Sequence, residues 1–412
     1  MKVIVIGSGI IGLATAYSLA KRGCEVVVVG DRAPGSGASS NNAGWVVPAE
    51  AGPVPGPGVI LETLRSMLKS DSPVYVRPSA SPSFVAFMAR MLRACNAGAY
   101  WRAFDATARL ARGTMDEMDA WVADGIEFEM HAEGELRAYV SEEELHAATA
   151  GIERYRKAGF EPQVLTGDEA RAVVPELADE VVGGIRFPNE RHVRPATVVE
   201  GLVRRLGALG VVMTDGAVTR AWALPAGGVE LRGSFGSVTA DAAVIAAGAW
   251  SARVARLLGA SVPIRPGKGY SVDYVPAPLA MRAVVMLSEA HCAVTPLDGA
   301  TRVAGTMEFG GLDERIAPVR LRAIQQAPGR YFRTWDPDAP TLAPSAGLRP
   351  MTPDGLPMIG RLAPFDNVYI ASGHAMLGLT LAARTGTELA GMIVDGGTPE
   401  VLDPFSPRRF GA

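Results

Sequence analysis

Cysteine is scarce: the 412 residues hold three, Cys24, Cys95 and Cys292, far apart in the chain. They make no CxxC pair and no zinc-ligand spacing, and an odd, sparse count of thiols fits a reducing compartment. Histidine is scarce too, at five. His131, His146, His192 and His291 stand at no ligand spacing, so no metal is expected. A basic surplus is missing: 40 Lys and Arg stand against 43 Asp and Glu, a formal net charge of −3, without the basic stripe of a nucleic-acid binder. Long apolar runs are missing as well, and a membrane-spanning helix needs about 18 or more such residues in a row. The start of the chain, Lys2 followed by an apolar run, imitates a secretory leader. The glycines at 7, 9 and 12 and a second strand-like run after Gly23 point instead to a folded element, so a cytoplasmic protein is expected.

What is present suffices for a large core. Hydrophobic side chains make up 48% of a chain too long for one small domain, and two domains are expected. The 47 glycines point to tight turns and close backbone approaches.

The opening carries the clearest motif. Residues 2–6, KVIVI, read as a buried parallel strand. Gly7-Ser8-Gly9-Ile10-Ile11-Gly12 follows, then the helix-like run LATAYSLAKR, closed by Gly23, and a second strand over 25–29, EVVVV. This strand, glycine turn, helix and strand form the context in which GxGxxG marks a dinucleotide site. Gly7 allows the tight turn, Gly9 lets the backbone approach a pyrophosphate, and Gly12 permits close packing of helix on strand. Amides at the helix start can meet phosphate charge. Asp31, 19 residues after Gly12, is the candidate for the ribose hydroxyls. The motif alone does not separate NAD from FAD.

Farther along, helices are expected over 57–70, 82–97, 100–124, 195–209 and 314–328. Strand-like pieces stand near 126–140, 182–187, 211–219, 229–239 and through 262–309. The apolar run 242–247 meets Gly248-Ala249-Trp250-Ser251, which places backbone beside a cofactor in a nucleotide-binding sheet. Residues 347–355, GLRPMTPDG, read as a stiff loop holding one arginine. A strand over 368–371, Ser372-Gly373-His374 and a helix over 376–394 close the pattern. The helix start presents positive backbone ends to an electron-rich group.

At these residues the chain resembles the FAD-dependent D-amino-acid oxidase superfamily, and most of all its bacterial D-amino-acid dehydrogenase branch. The resemblance spans nearly the whole chain. It rests on GSGIIG at 7–12, SSNNAGWVVP at 39–48, AAGAWS at 246–251, KGYS at 268–271, GLRPMTPDGLPMIG at 347–360 and SGHAMLGLT at 372–380. It implies an α/β FAD-binding domain of glutathione-reductase type, interleaved with an α+β substrate domain carrying a mixed β-sheet. We expect the first over 1–50, 188–260 and 340–412, and the second over 51–187 and 261–339. The resemblance places FAD, held without a covalent bond, along Gly7, Gly9, Ile10, Ile11 and Gly12, and at Asp31 and Arg32. Further contacts are implied at Ser39, Ser40, Asn42, Ala43 and Gly44, at Val218, Ala247, Gly248, Trp250 and Gly347, and at Gly373, His374, Met376, Leu377, Gly378, Leu379 and Thr380. Family members put the acidic ribose ligand directly after the second strand, where this chain has Gly30. Either the strand end is shifted, or Asp31 does not hold the ribose. Some relatives attach flavin through a cysteine, but the surroundings of Cys292, EAHCAVTP, do not resemble such a site.

Arg349 is the residue the resemblance assigns to the substrate carboxylate, with a purely structural arginine as the alternative. Tyr270 either lines the substrate pocket or covers a sheet, Lys268 is either functional or a solvated surface lysine, and His374 meets flavin through its backbone or its ring. The implied reaction is oxidative deamination of a D-amino acid, hydride passing from Cα to flavin N5 without a side-chain general base and electrons leaving to a quinone or another non-oxygen acceptor. The rivals are oxidation of a secondary amine such as D-proline or hydroxy-D-proline, of glycine or of sarcosine; an FAD-bearing subunit of a larger oxidoreductase; and an NAD-dependent dehydrogenase. Arg90, Arg93, Arg102, Arg109 and Arg112 among the apolar residues of 82–124 suggest either peripheral contact with the inner face of the membrane or a solvated basic side.

Overall fold

A computed structural model describes residues 1–58, 74–77, 79, 81–224 and 227–412. The helix expected over 57–70 falls almost entirely outside the described residues.

The opening folds as its pattern dictates. The strands Lys2–Ile6 and Glu25–Gly30 flank the helix Ile10–Lys21 and pair in parallel, Ile4 opposite Val27. The strand Ala242–Ile245 joins on the other side, with Ile4 opposite Ala243. The six-stranded sheet runs in the order 212–215, 25–30, 2–6, 242–245, 368–372, 358–361, and only the last strand is antiparallel. Both faces are covered, which is why these strands read as unbroken apolar runs. Val3, Val5, Val26 and Val28 pack with the helices 10–21, 195–208 and 378–395. Ile4, Ile6, Val27 and Val29 face the other way, toward the three-stranded sheet of 218–240 and the helix Ser251–Leu257.

The second layer is a nine-stranded mixed sheet: 345–351, 265–274, 300–309, 292–297, 284–287, 135–139, 183–187, 163–166, with 74–76 paired in parallel to 300–309. The pair 284–287 and 135–139 is also parallel. One face carries Val272, Val285, Val294 and Val303 into a core under the helix Pro318–Gln326. The opposite face meets the nucleotide-binding layer. Arg302 donates there to the carbonyls of Ser40 and Asn42, at 3.1 and 2.9 Å, while holding Asp273.

Three expectations are corrected. The stretch expected as a single loop over 347–355 begins as an edge strand, Ser345–Met351, antiparallel to Arg265–Tyr274. Pro350 is tolerated because the strand has only one neighbour and its partner there is another proline, Pro266. The segment 345–351 therefore belongs by hydrogen bonding to the nine-stranded sheet. The helix expected over 100–124 is two, Ala97–Ala111 and Thr114–Ala123, broken at Gly113 with φ 81°. Its predecessor ends at Ala94, because the Asn96 side chain caps the next helix by accepting from the Ala99 amide at 2.9 Å.

Candidate active site

The carboxyl ends of the parallel strands and the starts of two helices meet at one elongated cleft. It runs from Ile6, Val29, Ala246 and Ala371 to the edge of the second sheet at Leu348–Pro350 and encloses about 1450 Å³, mouth included. Ligands of open α/β sheets bind at this end of the strands.

Glycine shapes the first wall. Gly7 leaves its strand at φ 120°, and a Cβ there would lie 2.4 Å from the Ala246 carbonyl oxygen. A Cβ on Gly12 would sit 1.9 Å from the Gly7 carbonyl oxygen, so helix and strand are closer than any side chain permits. Ser39 closes the first helical turn, its Oγ accepting from the Ile10 amide at 2.9 Å. Gly7, Gly9, Ile10, Ile11, Asp31, Arg32, Ser39 and Asn42 line the cleft; Gly12 lies behind it. Asp31 stands just past the end of the second strand. Arg32 stacks on the Trp250 ring at 5.0 Å and pairs with Glu314 at 2.9 Å.

The second wall is a loop stitched to both sheets. Asn42 donates to the carbonyls of Ala38 and Ser39 and accepts from the Gly44 amide at 2.7 Å. Ala43 offers its carbonyl to Thr295, Ser40 to Arg302, and Gly44 approaches the Val193 carbonyl so closely that a Cβ would clash at 2.3 Å. Ser40, Ala43 and Gly44 therefore support the wall from outside. Gly347, where a Cβ would meet Ala38 at 3.1 Å, acts in the same way.

Val218, Ala247, Gly248 and Trp250 line one end, and His374, Met376, Gly378 and Leu379 the other. The helix Gly378–Asp395 begins at Leu377 without a side-chain cap, so its first amides stay open to an electron-rich group. Gly373, at φ 84°, and Thr380 stand behind; Thr380 Oγ1 accepts from the Val47 amide at 3.0 Å. His374 is buried, its Nε2 3.1 Å from Thr385 Oγ1, and burial holds its pKa down at about 3, so the ring is neutral.

Arg349 is the unusual group. Its Nη1 donates to the Thr306 carbonyl at 2.7 Å and touches Met307 Sδ at 3.9 Å. Among the described residues no carboxylate pairs with it. Burial lowers its pKa to about 10, which leaves it charged at neutral pH. A partly buried cation without an anion carries a desolvation cost, and an incoming carboxylate reduces that cost.

Of the two readings of Tyr270, the strand register supports the sheet cover. Gly267 pairs with Arg349, so strand alternation puts 267 and 269 on the arginine's face and 268 and 270 on the other. The Tyr270 ring belongs to the second core, its hydroxyl donates to Glu308 at 2.6 Å, and burial with that contact raises its pKa to about 12. Lys268 is not solvated either: it is buried, donates to the Arg315 carbonyl at 2.8 Å and pairs with Glu308 at 3.3 Å. Cys292 lies in the same core, its thiol pushed by burial to about 12.

Sequence reasoning missed Ala33 and the run Gly35–Ala38, and the cleft residues Arg253, Leu257 and Ala375. The small-residue run APGSGASS was the available signal for the first of these. Nothing local marks the others.

A family model described as FAD dependent oxidoreductase matches residues 2–392. The chain belongs to the FAD-dependent oxidoreductase family. It is 32% identical to a D-amino acid dehydrogenase of Cereibacter sphaeroides, over 97% of this chain and 93% of that protein. It is also 32% identical to D-amino acid dehydrogenase 1 of Mesorhizobium japonicum, over 97% of each. Among solved structures, glycine oxidase from Geobacillus kaustophilus shares the fold, with a TM-score of 0.79 at 24% identity, covering 99% of this chain and 98% of that one. L-proline dehydrogenase from P. horikoshii superposes with a TM-score of 0.75 at 20% identity, covering 99% of this chain and 97% of that one. The cleft fits FAD: Gly7 and Gly12 leave room only for backbone, and two helix starts face it.

Proposed function

We propose that this protein is an FAD-dependent D-amino-acid dehydrogenase, acting on the CH–NH2 group of a small D-amino acid. The observation that carries the reading is Arg349, a partly buried guanidinium at the cleft wall with no acidic partner among the described residues. It binds the substrate carboxylate and so fixes which hydrogen of the α-carbon faces the cleft. FAD, when bound, supplies the acceptor for the two electrons leaving that carbon. Asp31 is the only carboxylate lining the cleft among the described residues, and it stands at the far, strand-end side, so the substrate amine reaches its neutral form without a side-chain base. The open amides of the helix 378–395 stabilise negative charge that gathers on the electron acceptor. With Cys292 in the core, FAD is held without a covalent bond. Two interleaved domains, one of glutathione-reductase type, are the architecture we assign to the two large sheets.

The electrons pass to a quinone or another non-oxygen acceptor. In support of a peripheral membrane contact on the cytoplasmic side, the helix Pro82–Ala94 exposes Val85 and Leu92 beside Arg90 and Arg93. Among the described residues no helix is long and apolar enough to cross a membrane. Protein that stays wholly in the soluble fraction after liposome flotation would count against the contact.

The test is anaerobic mixing of the yellow protein with D- and L-amino acids, D- and L-prolines, glycine and sarcosine. Bleaching by a primary D-amino acid supports the reading, and bleaching only by a secondary amine replaces it. Admitting air and then a quinone analogue separates oxidase from dehydrogenase. Arg349→Ala should abolish turnover while leaving FAD bound.

A further inference from the structure

The strand opposite Arg349 carries an unusual pattern, Pro266-Gly267-Lys268-Gly269-Tyr270, with glycine at alternate positions. Alternate residues share one face of a strand, so the two glycines clear a trough on the side where Arg349 lies. The clearance at Gly269 is specific. A Cβ there would stand 2.3 Å from Nη2, 2.4 Å from Cζ and 2.4 Å from Nη1 of Arg349. The guanidinium therefore lies flat over the bare backbone of residue 269.

On its other side the arginine meets a break in the ladder. Between Lys268 opposite Glu308 and Tyr270 opposite Gly305, the 300–309 strand holds one residue more than its partner. That bulge contains Thr306 at φ 70°, a left-handed conformation that a β-branched residue adopts only under strain. Its consequence is that the Thr306 carbonyl turns out of the ladder and accepts from Nη1 at 2.7 Å. Strain of this kind persists where the surrounding structure holds it in place.

We infer that Gly269 and Thr306 are the positioning residues of Arg349. The glycine leaves the space in which the guanidinium lies flat, and the strained carbonyl occupies Nη1, so that Nη2 is presented to the substrate carboxylate. This rests on the reading of Arg349 as the carboxylate site. Any side chain at 269 lifts the guanidinium out of register. The displaced atoms are the far end of a flexible side chain, so the fold absorbs the change while the site does not. Gly267 differs: a Cβ there would press on Met307 Sδ at 2.6 Å and Met351 Cγ at 2.9 Å, inside a packed cluster.

The experiment uses the FAD-loaded protein and propanoate, a carboxylate with no amine to oxidise, titrated against the flavin absorption spectrum. Gly269→Ala should raise the propanoate Kd and the substrate KM by about 30-fold, in the range of a lost charge-assisted hydrogen bond. FAD affinity and Tm should stay near the wild-type values. Gly269→Ala combined with Arg349→Lys should recover part of the propanoate affinity, because an ammonium needs less width than a guanidinium. Propanoate binding by Gly269→Ala equal to wild type overturns the inference. If instead wild type and Arg349→Ala bind propanoate alike, the reading of Arg349 itself fails.

Discussion

Gly386 lies against Ala14 so closely that a Cβ on it would sit 2.6 Å from the Ala14 carbonyl oxygen. The two residues join the helices 10–21 and 378–395, both of which begin at the cleft. The obstacle is backbone, which cannot swing aside, so Gly386→Ala should force the helices apart and cost about 2 kcal/mol, as overpacking does. The helix starts would separate with them. Thermal unfolding should fall by several degrees and the FAD Kd should rise; an unchanged Kd in a destabilised variant would show that the crossing serves packing alone.

Arg302 is the tie between the second sheet and the loop 40–44. It pairs with Asp273 at 2.6 Å and donates to two loop carbonyls. Its removal leaves a mostly buried aspartate without its partner, a loss of about 3 kcal/mol. Arg302→Ala should lower Tm and speed FAD release, measured by the recovery of flavin fluorescence. Arg302→Lys keeps a charge but not the planar fork, and should release FAD nearly as fast.

Glu190 is buried beside Arg137, Glu50 and Glu135, and accepts from the Ala49 amide at 3.1 Å. Burial, with Glu50 adding to it, raises its pKa to about 8. A pKa raised above the unfolded value, about 4.3, means that the folded state binds the proton more tightly. That contribution is complete below the unfolded pKa and is lost as pH rises through 8. Glu190→Gln keeps the acceptor for Ala49 and carries no proton to lose. It should be more stable than wild type at pH 8, by about 2 kcal/mol, and equal or less stable at pH 5. Denaturant titrations at the two pH values decide it.

His192 and His374 act with the opposite sign. Burial holds His192 down at about 4, with His131 stacked 4.7 Å away contributing, and His374 at about 3. Both lie below the unfolded value, so their contribution is complete above about pH 6.5 and lost as pH falls. Because Glu190 and Glu135, both raised by burial, oppose this trend, the effect is best read as a difference between wild type and His192→Gln from about pH 6.5 to 5. Wild type should lose about 1.4 kcal/mol per pH unit more than the variant there.

Much of this was legible in the residues. KVIVI and EVVVV are apolar throughout because both faces of their sheet are covered, and the glycines at 7 and 12 stand where local sterics admit nothing larger. Arg349 could be singled out as the one cation inside GLRPMTPDG. Less was legible where a partner strand decides. Proline and glycine made 347–355 read as a loop, yet its first half is an edge strand, because a single neighbour leaves Pro350 free of the need to donate. Tyr270 could be read as a pocket contact or as a sheet cover, and only the pairing of Gly267 with Arg349, which turns it to the opposite face, separates the two.

The residues by themselves determine the strand, turn and helix of the nucleotide motif, since the steric needs of a tight turn and of helix-on-strand packing are met within a few neighbouring positions. Tertiary structure alone decides what surrounds Arg349. Its neighbours Gly269 and Thr306 come from two other strands, and the register of those strands is set by which faces bury their apolar side chains. A shift of one residue would exchange Gly269 for Lys268 or Tyr270 and close the trough.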